Sequence, residues 1–263
     1  MGSHTGRFAR HTAVVTGGAG GIGRAVCAAF AAEGAAVAVV DVNDEAVAAT
    51  VTELAVAGGD PARAMGWTVD VRDPAAVHEL MAAVHDRLGG PHVLVNLAGG
   101  SLDTPRDLGE ISPAHLDAVL DVNVKGTFLC CQAAMPYLVE AGGGAIVNTS
   151  SIGGRQPSPV TGVPYAAAKA AIVGLTKRLA KEVGPDRVRV NAIAPGLVLT
   201  ERLQRVFEAM DPVEQHEVVE AIPLRRMPKL AEIVEPILFL AGDAAGYITG
   251  VVLDVNGGRF MPL

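Results

Sequence analysis

Thr16-Gly17-Gly18-Ala19-Gly20-Gly21-Ile22-Gly23 lies between a short β-branched run, residues 12–16, and an alanine-rich amphipathic run, residues 21–33, that Gly34 closes. Glycines at Gly17, Gly20, Gly21 and Gly23 let a backbone turn sharply and approach a pyrophosphate. The N–H groups and positive dipole end of the helix that follows, beginning at Gly21-Ile22, would meet its charge. A glycine cluster alone is a common strand-to-helix turn. Its place after the first strand, opening the first helix, is what gives it meaning. Asp41 ends the next strand, 18 residues after Gly23. A carboxylate there can accept both hydroxyls of an adenosine ribose.

Outward from this unit the same alternation continues. Strands are predicted over residues 36–41, 64–70, 93–96, 145–149, 188–193 and 251–255, and helices over 44–57 (closed by Gly58-Gly59), 74–88, 112–139 and 165–183. Ser112 is the predicted N-cap of the long helix. Continuous apolar strands separated by helices mean a parallel sheet covered on both faces. The predicted fold is α/β: a doubly wound Rossmann fold with a seven-stranded parallel sheet. It forms one domain over residues 7–263, with residues 1–6 set aside as an appended, flexible tail. Ligands of such folds sit outside the carboxyl ends of the strands. Thr16, Asp41, Asp70, Asn96, Ser150 and Ala194 all stand there. Asp70, with Val71 beside it, is placed to reach an adenine. Asn96-Leu97-Ala98-Gly99 either lines a cofactor or braces the sheet edge.

Composition narrows the function. Of the 263 residues, 50% are hydrophobic and 19% charged, a globular balance. With 21 basic against 28 acidic residues the net charge is −7, which argues against a nucleic-acid binder. No apolar run approaches the ~18 residues of a membrane span, and residues 1–10 lack the apolar core of a secretory signal. Cys130 and Cys131 are sequence neighbours in a predicted helix, which suits reduced thiols and a cytoplasmic location. The seven histidines show no ligand spacing, so no metal is expected.

Tyr165-Ala166-Ala167-Ala168-Lys169 puts a phenol and an ammonium on one helix face. A nearby cation favours the phenolate, so such a tyrosine can exchange a proton near neutral pH. Ser150-Ser151 follows the fifth strand, with Ser151 14 residues before Tyr165, and offers a hydroxyl for a substrate oxygen. Asn123 interrupts a helix in which asparagine is a poor interior residue.

Together these features resemble the short-chain dehydrogenase/reductase family of the single-domain type. The resemblance runs from Arg7 onward. Thr16-Gly17-x-x-x-Gly21-x-Gly23, Asn96-x-Ala98-Gly99, Asn123, Ser151, Tyr165-x-x-x-Lys169, Pro195-Gly196 and Gly246-Tyr247-Ile248-Thr249-Gly250 carry it. It implies an NAD-dependent oxidoreductase acting on a secondary alcohol or ketone. By resemblance, Tyr165 is the acid/base, and Lys169 lowers its pKa and holds the nicotinamide ribose. Ser151 steadies the substrate oxygen, and Asn123, through a helix kink, anchors a proton-relay water. Pro195-Gly196-x-Val198-x-Thr200 brackets the nicotinamide. The resemblance also implies a homotetramer of D2 symmetry.

Departures are few: Leu97 where the family more often has asparagine, a Ser151–Tyr165 interval one residue longer than the commonest, and Asn256 before Gly257-Gly258 where aspartate is frequent. Nucleotide-sugar epimerases share Tyr-x-x-x-Lys, but need more chain after Thr200 and wider spacing of the last two loop glycines. A dinucleotide-binding protein without turnover would be expected to lack Tyr165, Lys169 or Asn123. Asp41 and Gly20 favour NAD over NADP, because the former repels a 2′-phosphate and the latter replaces a basic residue; Arg24 lies past the loop. Residues 152–164 and 197–222 are expected to form the substrate pocket, with Leu199, Leu203, Val206, Phe207 and Met210 as an apolar lid. Arg155 is the candidate for a substrate anion.

Overall fold

The computed structural model describes residues 6–56, 61–158 and 160–262. The tail over residues 1–5 and the Gly58-Gly59 helix stop lie outside them, as does the side chain of Val206. Seven strands, β1 (Thr12–Thr16), β2 (Ala36–Asp41), β3 (Ala64–Thr68), β4 (Val93–Asn96), β5 (Gly144–Thr149), β6 (Val188–Pro195) and β7 (Val252–Val255), form one parallel sheet in the order β3-β2-β1-β4-β5-β6-β7. Helices α1 (Gly21–Ala32), α2 (Asp44–Val56) and α3 (Pro74–Leu88) connect the first four strands. The chain then crosses from β3 at one edge to β4 beside β1. There the strand order reverses, and the loops at the carboxyl ends of β1 and β4 diverge.

The period of two along each strand divides the core. Val14, Ala38, Val40, Leu94, Ile146 and Val190 face one layer, with Val77, Met81 and Val84 of α3. Ala13, Val15, Val37, Val39, Val93, Val95, Val147 and Ile193 face the other, with Val26 and Phe30 of α1 and Ile233, Ile237 and Leu238 of α9 (Ala231–Ala241). Strands buried on both faces read as unbroken apolar runs, which is why the sequence shows them so clearly.

Several boundaries differ from expectation. The long helix splits into α4 (Pro113–Leu120), a π-helical turn at Asp121–Lys125, and α5 (Gly126–Glu140). Asn123 causes the break: its Nδ2 donates to the Val119 carbonyl at 2.9 Å, competing for an acceptor that an unbroken helix would use itself. Ser112 caps α4 as expected, its Oγ accepting from the His115 amide at 3.2 Å. Strand β3 ends at Thr68, and Asp70 closes back on Arg72. Strand β6 runs on to Pro195 because β7 pairs with its last four residues, Ala192–Pro195. Two helices not assigned from the sequence, α7 (Glu201–Glu208) and α8 (Pro212–Glu220), fill the segment expected to be a lid. Helix α6 (Val163–Val183) begins two residues before Tyr165.

At the opposite end of the sheet, half-buried His92 ties β1 to β4. Its Nδ1 accepts from the Thr12 amide at 3.1 Å, and its own amide donates to Thr12. Burial, with His11 nearby, holds its pKa below the usual 6.5. The neutral ring is the form that accepts this bond, so its contribution is intact above that ordinary value. As pH falls through the window down to the depressed folded value, the unfolded chain takes up the proton first and stability declines. The urea midpoint is therefore expected to drop between about pH 7 and 5, and His92→Gln to flatten that part of the slope in equilibrium unfolding.

Candidate active site

Where the loops after β1 and β4 part, a cleft of about 580 Å³ opens over the carboxyl ends of the strands. Its floor is the glycine loop. Gly17 has φ +66°, and a Cβ there would lie 2.8 Å from the Ala98 nitrogen. A Cβ on Gly23 would sit 2.0 Å from the Gly17 carbonyl oxygen. A side chain at Gly17 would push the loop off the turn after β4, and one at Gly23 would push α1 off the loop. Helix α1 has no side-chain cap at Gly20 and no acid in its first turn, so its leading N–H groups face the cleft without a protein anion. This uncapped, side-chain-free cradle fits a diphosphate.

Asp41 closes one wall. Its carboxylate accepts from the amides of Ala19 (3.3 Å), Val42 (2.8 Å) and Asn43 (3.4 Å), locking the loop to the end of β2. Asp70 also lines the cleft, gripped by Arg72 through contacts of 2.6–3.0 Å. That guanidinium holds its carboxyl below the usual range. Gly17, Gly20, Gly21, Ile22, Gly23, Asp41, Asp70, Val71, Ala98, Gly99, Tyr165, Lys169 and Thr200 all line this one cleft. Thr200 stands over the loop, 3.0 Å from where a Gly21 Cβ would be.

Lys169 is the unusual group. It is 5% exposed, its Nζ donates to the Thr149 carbonyl at 2.9 Å, and it lies 5.6 Å from the centre of the Tyr165 ring. Burial pushes the ammonium down to about 8. Ser150 and Ser151 separate cleanly. Ser150 is buried and its hydroxyl donates to the Lys169 carbonyl at 2.8 Å, so it anchors α6. Ser151 Oγ accepts from the Gly153 amide at 3.1 Å, which leaves its own proton to donate.

Several expected residues do not line the cleft. Asn96 braces the sheet: its Nδ2 donates to Asn148 Oδ1 at 2.9 Å, and the side chain is buried in the core. Pro195, Gly196 and Val198 form the turn that delivers Thr200, whose amide donates to the Val198 carbonyl at 2.8 Å, and Val198 itself packs in the core. Asn123 is fully buried. Its Oδ1 accepts from the Gly100 amide at 3.1 Å, its Nδ2 donates to the Gly100 and Val119 carbonyls at 2.9 Å each, and its carbonyl accepts from the Thr127 hydroxyl. The expected kink is the π-helical turn, and the side chain clamps the Gly99-Gly100 turn, where both glycines have positive φ. Arg155 is not part of this lining either: its Nε stands 3.5 Å from the Asp254 carboxylate, and its guanidinium lies 4.9 Å from the centre of the Phe260 ring.

Arg72 and Thr149 belong to the cleft but were not singled out in the sequence, whereas Leu203, expected in the lid, lines it too. Thr149 is the last residue of β5, and Arg72 lies in the turn after β3. Leu203 also lines an adjoining cavity of about 810 Å³. Leu197, Phe207, Met210 and Val218 come to this cavity from the segment after Pro195, Val160 from the turn before α6, and Ser101 and Thr104 from the loop after β4. Among the described residues, no group of three or more metal-ligating side chains occurs, and no helix is long and apolar enough to cross a membrane.

Replacing Asn123 by Ala leaves the Gly100 amide and carbonyl without their side-chain partner in a buried turn. Urea unfolding is expected to report a loss of about 2 kcal/mol, with faster amide exchange at Gly100.

The family model described as enoyl-(acyl carrier protein) reductase matches residues 17–259. The chain is 41% identical to D-threitol dehydrogenase of Mycolicibacterium smegmatis over 249 residues, covering 94% of this chain and 91% of that one. Among solved structures, a short-chain type dehydrogenase/reductase from Mycobacterium ulcerans superposes with a TM-score of 0.89 at 31% identity, over 96% of this chain and 90% of the other. A 3-oxoacyl-(acyl-carrier protein) reductase from Brucella melitensis with bound NAD gives 0.86 at 37% identity, over 98% and 95%.

Proposed function

The chain belongs to the short-chain dehydrogenase/reductase family, and on that premise we propose that it moves a hydride between NAD(H) and a secondary alcohol or ketone, with Tyr165 as the acid/base. The observation that carries this reading is the buried Lys169 ammonium 5.6 Å from the centre of the Tyr165 ring, both residues lining one cleft. A cation in so dry a place favours the phenolate beside it. In the oxidative direction Tyr165 takes the proton of the substrate hydroxyl, and in the reductive direction it returns one to the carbonyl oxygen. Ser151 donates to that oxygen and holds it against the phenol. When bound, the nicotinamide supplies the hydride chemistry. Asn123 acts at one remove, as a positioning residue for the Gly99-Gly100 wall. Ala98 and Gly99 complete the cofactor cleft, Val71 and Asp70 its adenine end, and Thr200 its cover. The cavity beyond Leu203 takes the rest of the substrate.

Three side chains support NAD over NADP. Asp41 presents a fixed carboxylate where a 2′-phosphate would lie. The two arginines nearest in sequence to the cleft's ends are already paired, Arg24 with Glu53 at 3.4 Å and Arg72 with Asp70 at 2.6 Å.

The reading extends to one domain over residues 7–263, a cytoplasmic location, and no nucleic-acid or membrane partner, in keeping with the net charge of −7. It includes a D2 homotetramer. Phe128 and Val139 of α5 and Val163 at the head of α6 are exposed, and so are Phe239, Tyr247 and Val251 towards the β7 edge. Two separate apolar faces are what D2 assembly requires.

Tyr165→Phe is expected to keep NAD binding, followed by quenching of protein fluorescence, and to lose about 10²-fold or more in kcat on any alcohol that the wild type oxidises. Turnover near the wild-type rate would defeat the acid/base assignment. With the same alcohol, kcat/KM is expected to favour NAD over NADP by at least about tenfold, or ~1.4 kcal/mol, and Asp41→Ala to narrow that gap.

A further inference from the structure

The outer cavity carries charge in an uneven way. Asp103, Arg106, Glu214 and Glu217 are exposed at its rim, whereas Arg259 is half-buried. Arg259 also lines the smaller neighbouring cavity of about 260 Å³, and with Leu197 it forms the partition between the two. The other charged groups of that smaller cavity are paired: Arg226 with Glu232 at 2.6 Å, and Asp254 with Arg155 at 3.5 Å. Among the described residues the Arg259 side chain has no hydrogen-bond or ion-pair partner. A guanidinium withdrawn from water without an anion carries a desolvation cost that an incoming oxyanion would remove.

Its backbone is held in place. Asn256 is buried, and its Oδ1 accepts from the Gly258 and Phe260 amides at 3.0 and 3.3 Å. The Arg259 amide donates to the Asn256 carbonyl, and the Arg259 carbonyl accepts from Gln156 Nε2 at 3.4 Å. The segment is further covered by Arg155 stacked on Phe260. The asparagine that replaces a frequent aspartate thus fixes the turn that presents Arg259.

We propose that Arg259 is the specificity-determining residue of the outer cavity and selects substrates bearing a carboxylate. Because Arg259 lines the outer cavity and not the cleft that holds Tyr165, the carboxylate must be several atoms removed from the carbinol. The cavity walls between them, Leu197, Leu203, Phe207 and Met210, ask for an apolar spacer. The substrate class is a hydroxy or oxo acid with a remote secondary alcohol or ketone, not a 2-hydroxy acid. The guanidinium fork would take both carboxylate oxygens. This inference rests on the hydride-transfer reading above.

The test uses (ω−1)-hydroxy fatty acids of increasing chain length, their methyl esters and the matching 2-alkanols, with NAD and the wild-type chain, Arg259→Gln and Arg259→Lys. Wild type is expected to favour the acid over its ester by about tenfold or more in kcat/KM. Arg259→Gln is expected to abolish that preference through KM, with kcat on the acid retained, and Arg259→Lys to restore part of it. Equal kcat/KM for acid and ester in the wild type would overturn the proposal. So would a Gln variant that lowers acid and ester alike. Calorimetric titration of the acids onto the NADH-loaded protein separates the two readings. Binding that is lost in Arg259→Gln, with no turnover by wild type, retains the anion site and removes the hydride-transfer reading. Absence of acid binding to wild type removes the anion site alone.

Discussion

Close approach of backbone to backbone at the strand reversal is the constraint on which this structure depends. β1 and β4 lie side by side, but their loops leave in opposite directions, and the cleft exists because nothing fills the gap. Gly17 must pass within contact of Leu97 and Ala98, and Gly23 must pass under the Gly17 carbonyl. The Ala19 amide then reaches Asp41, so the loop is tied to β2 as well as to β4. One loop sets the width of the cleft, the direction of α1 and the position of the carboxylate at its end. A single Cβ at Gly23 would disturb all three.

The catalytic face is held by a different device. A row of buried polar groups crosses the sheet: Asn96 donates to Asn148, and Asn148 donates to Thr176 of α6 at 3.0 Å. Ser150 then grips the Lys169 carbonyl, and a Cβ on Gly154 would lie only 2.5 Å from the Lys169 carbonyl carbon. Helix α6 is therefore fixed to β5 in both height and rotation. Tyr165 and Lys169 inherit that placement. Buried hydrogen bonds of this kind specify one arrangement because the alternatives leave polar groups unpaired. Asn123 does the same for the opposite wall, and the π-helical turn is the local distortion that lets its side chain reach Gly100.

Much of this was legible from the chain alone, for identifiable reasons. Strands buried on both faces write themselves as apolar runs, so β1, β2, β4 and β5 are found to within a residue. The glycine loop, Asp41 and the Tyr165–Lys169 spacing are local in sequence, and local geometry brings each set together. Helix α9 packs Ile233, Ile237 and Leu238 on the core but carries Pro236 inside it, a residue that argues against a helix, and α7 and α8 are short. The Asn123 break was visible as a poor helix residue, but its partner Gly100 lies 23 positions away.

Sequence by itself determined the fold class, the glycine cradle and the pairing of phenol with ammonium, since each depends on contacts between residues close in the chain or on the periodicity of a single element. Tertiary structure alone decided which of several polar candidates face the site. Asn96 turned inward to Asn148, Ser150 turned to the Lys169 carbonyl, and Arg155 closed on Asp254 and Phe260. Arg259 was left facing the outer cavity. A polar side chain takes whichever partner the packed chain brings within about 3 Å. That partner comes from a distant segment, so no local pattern records it.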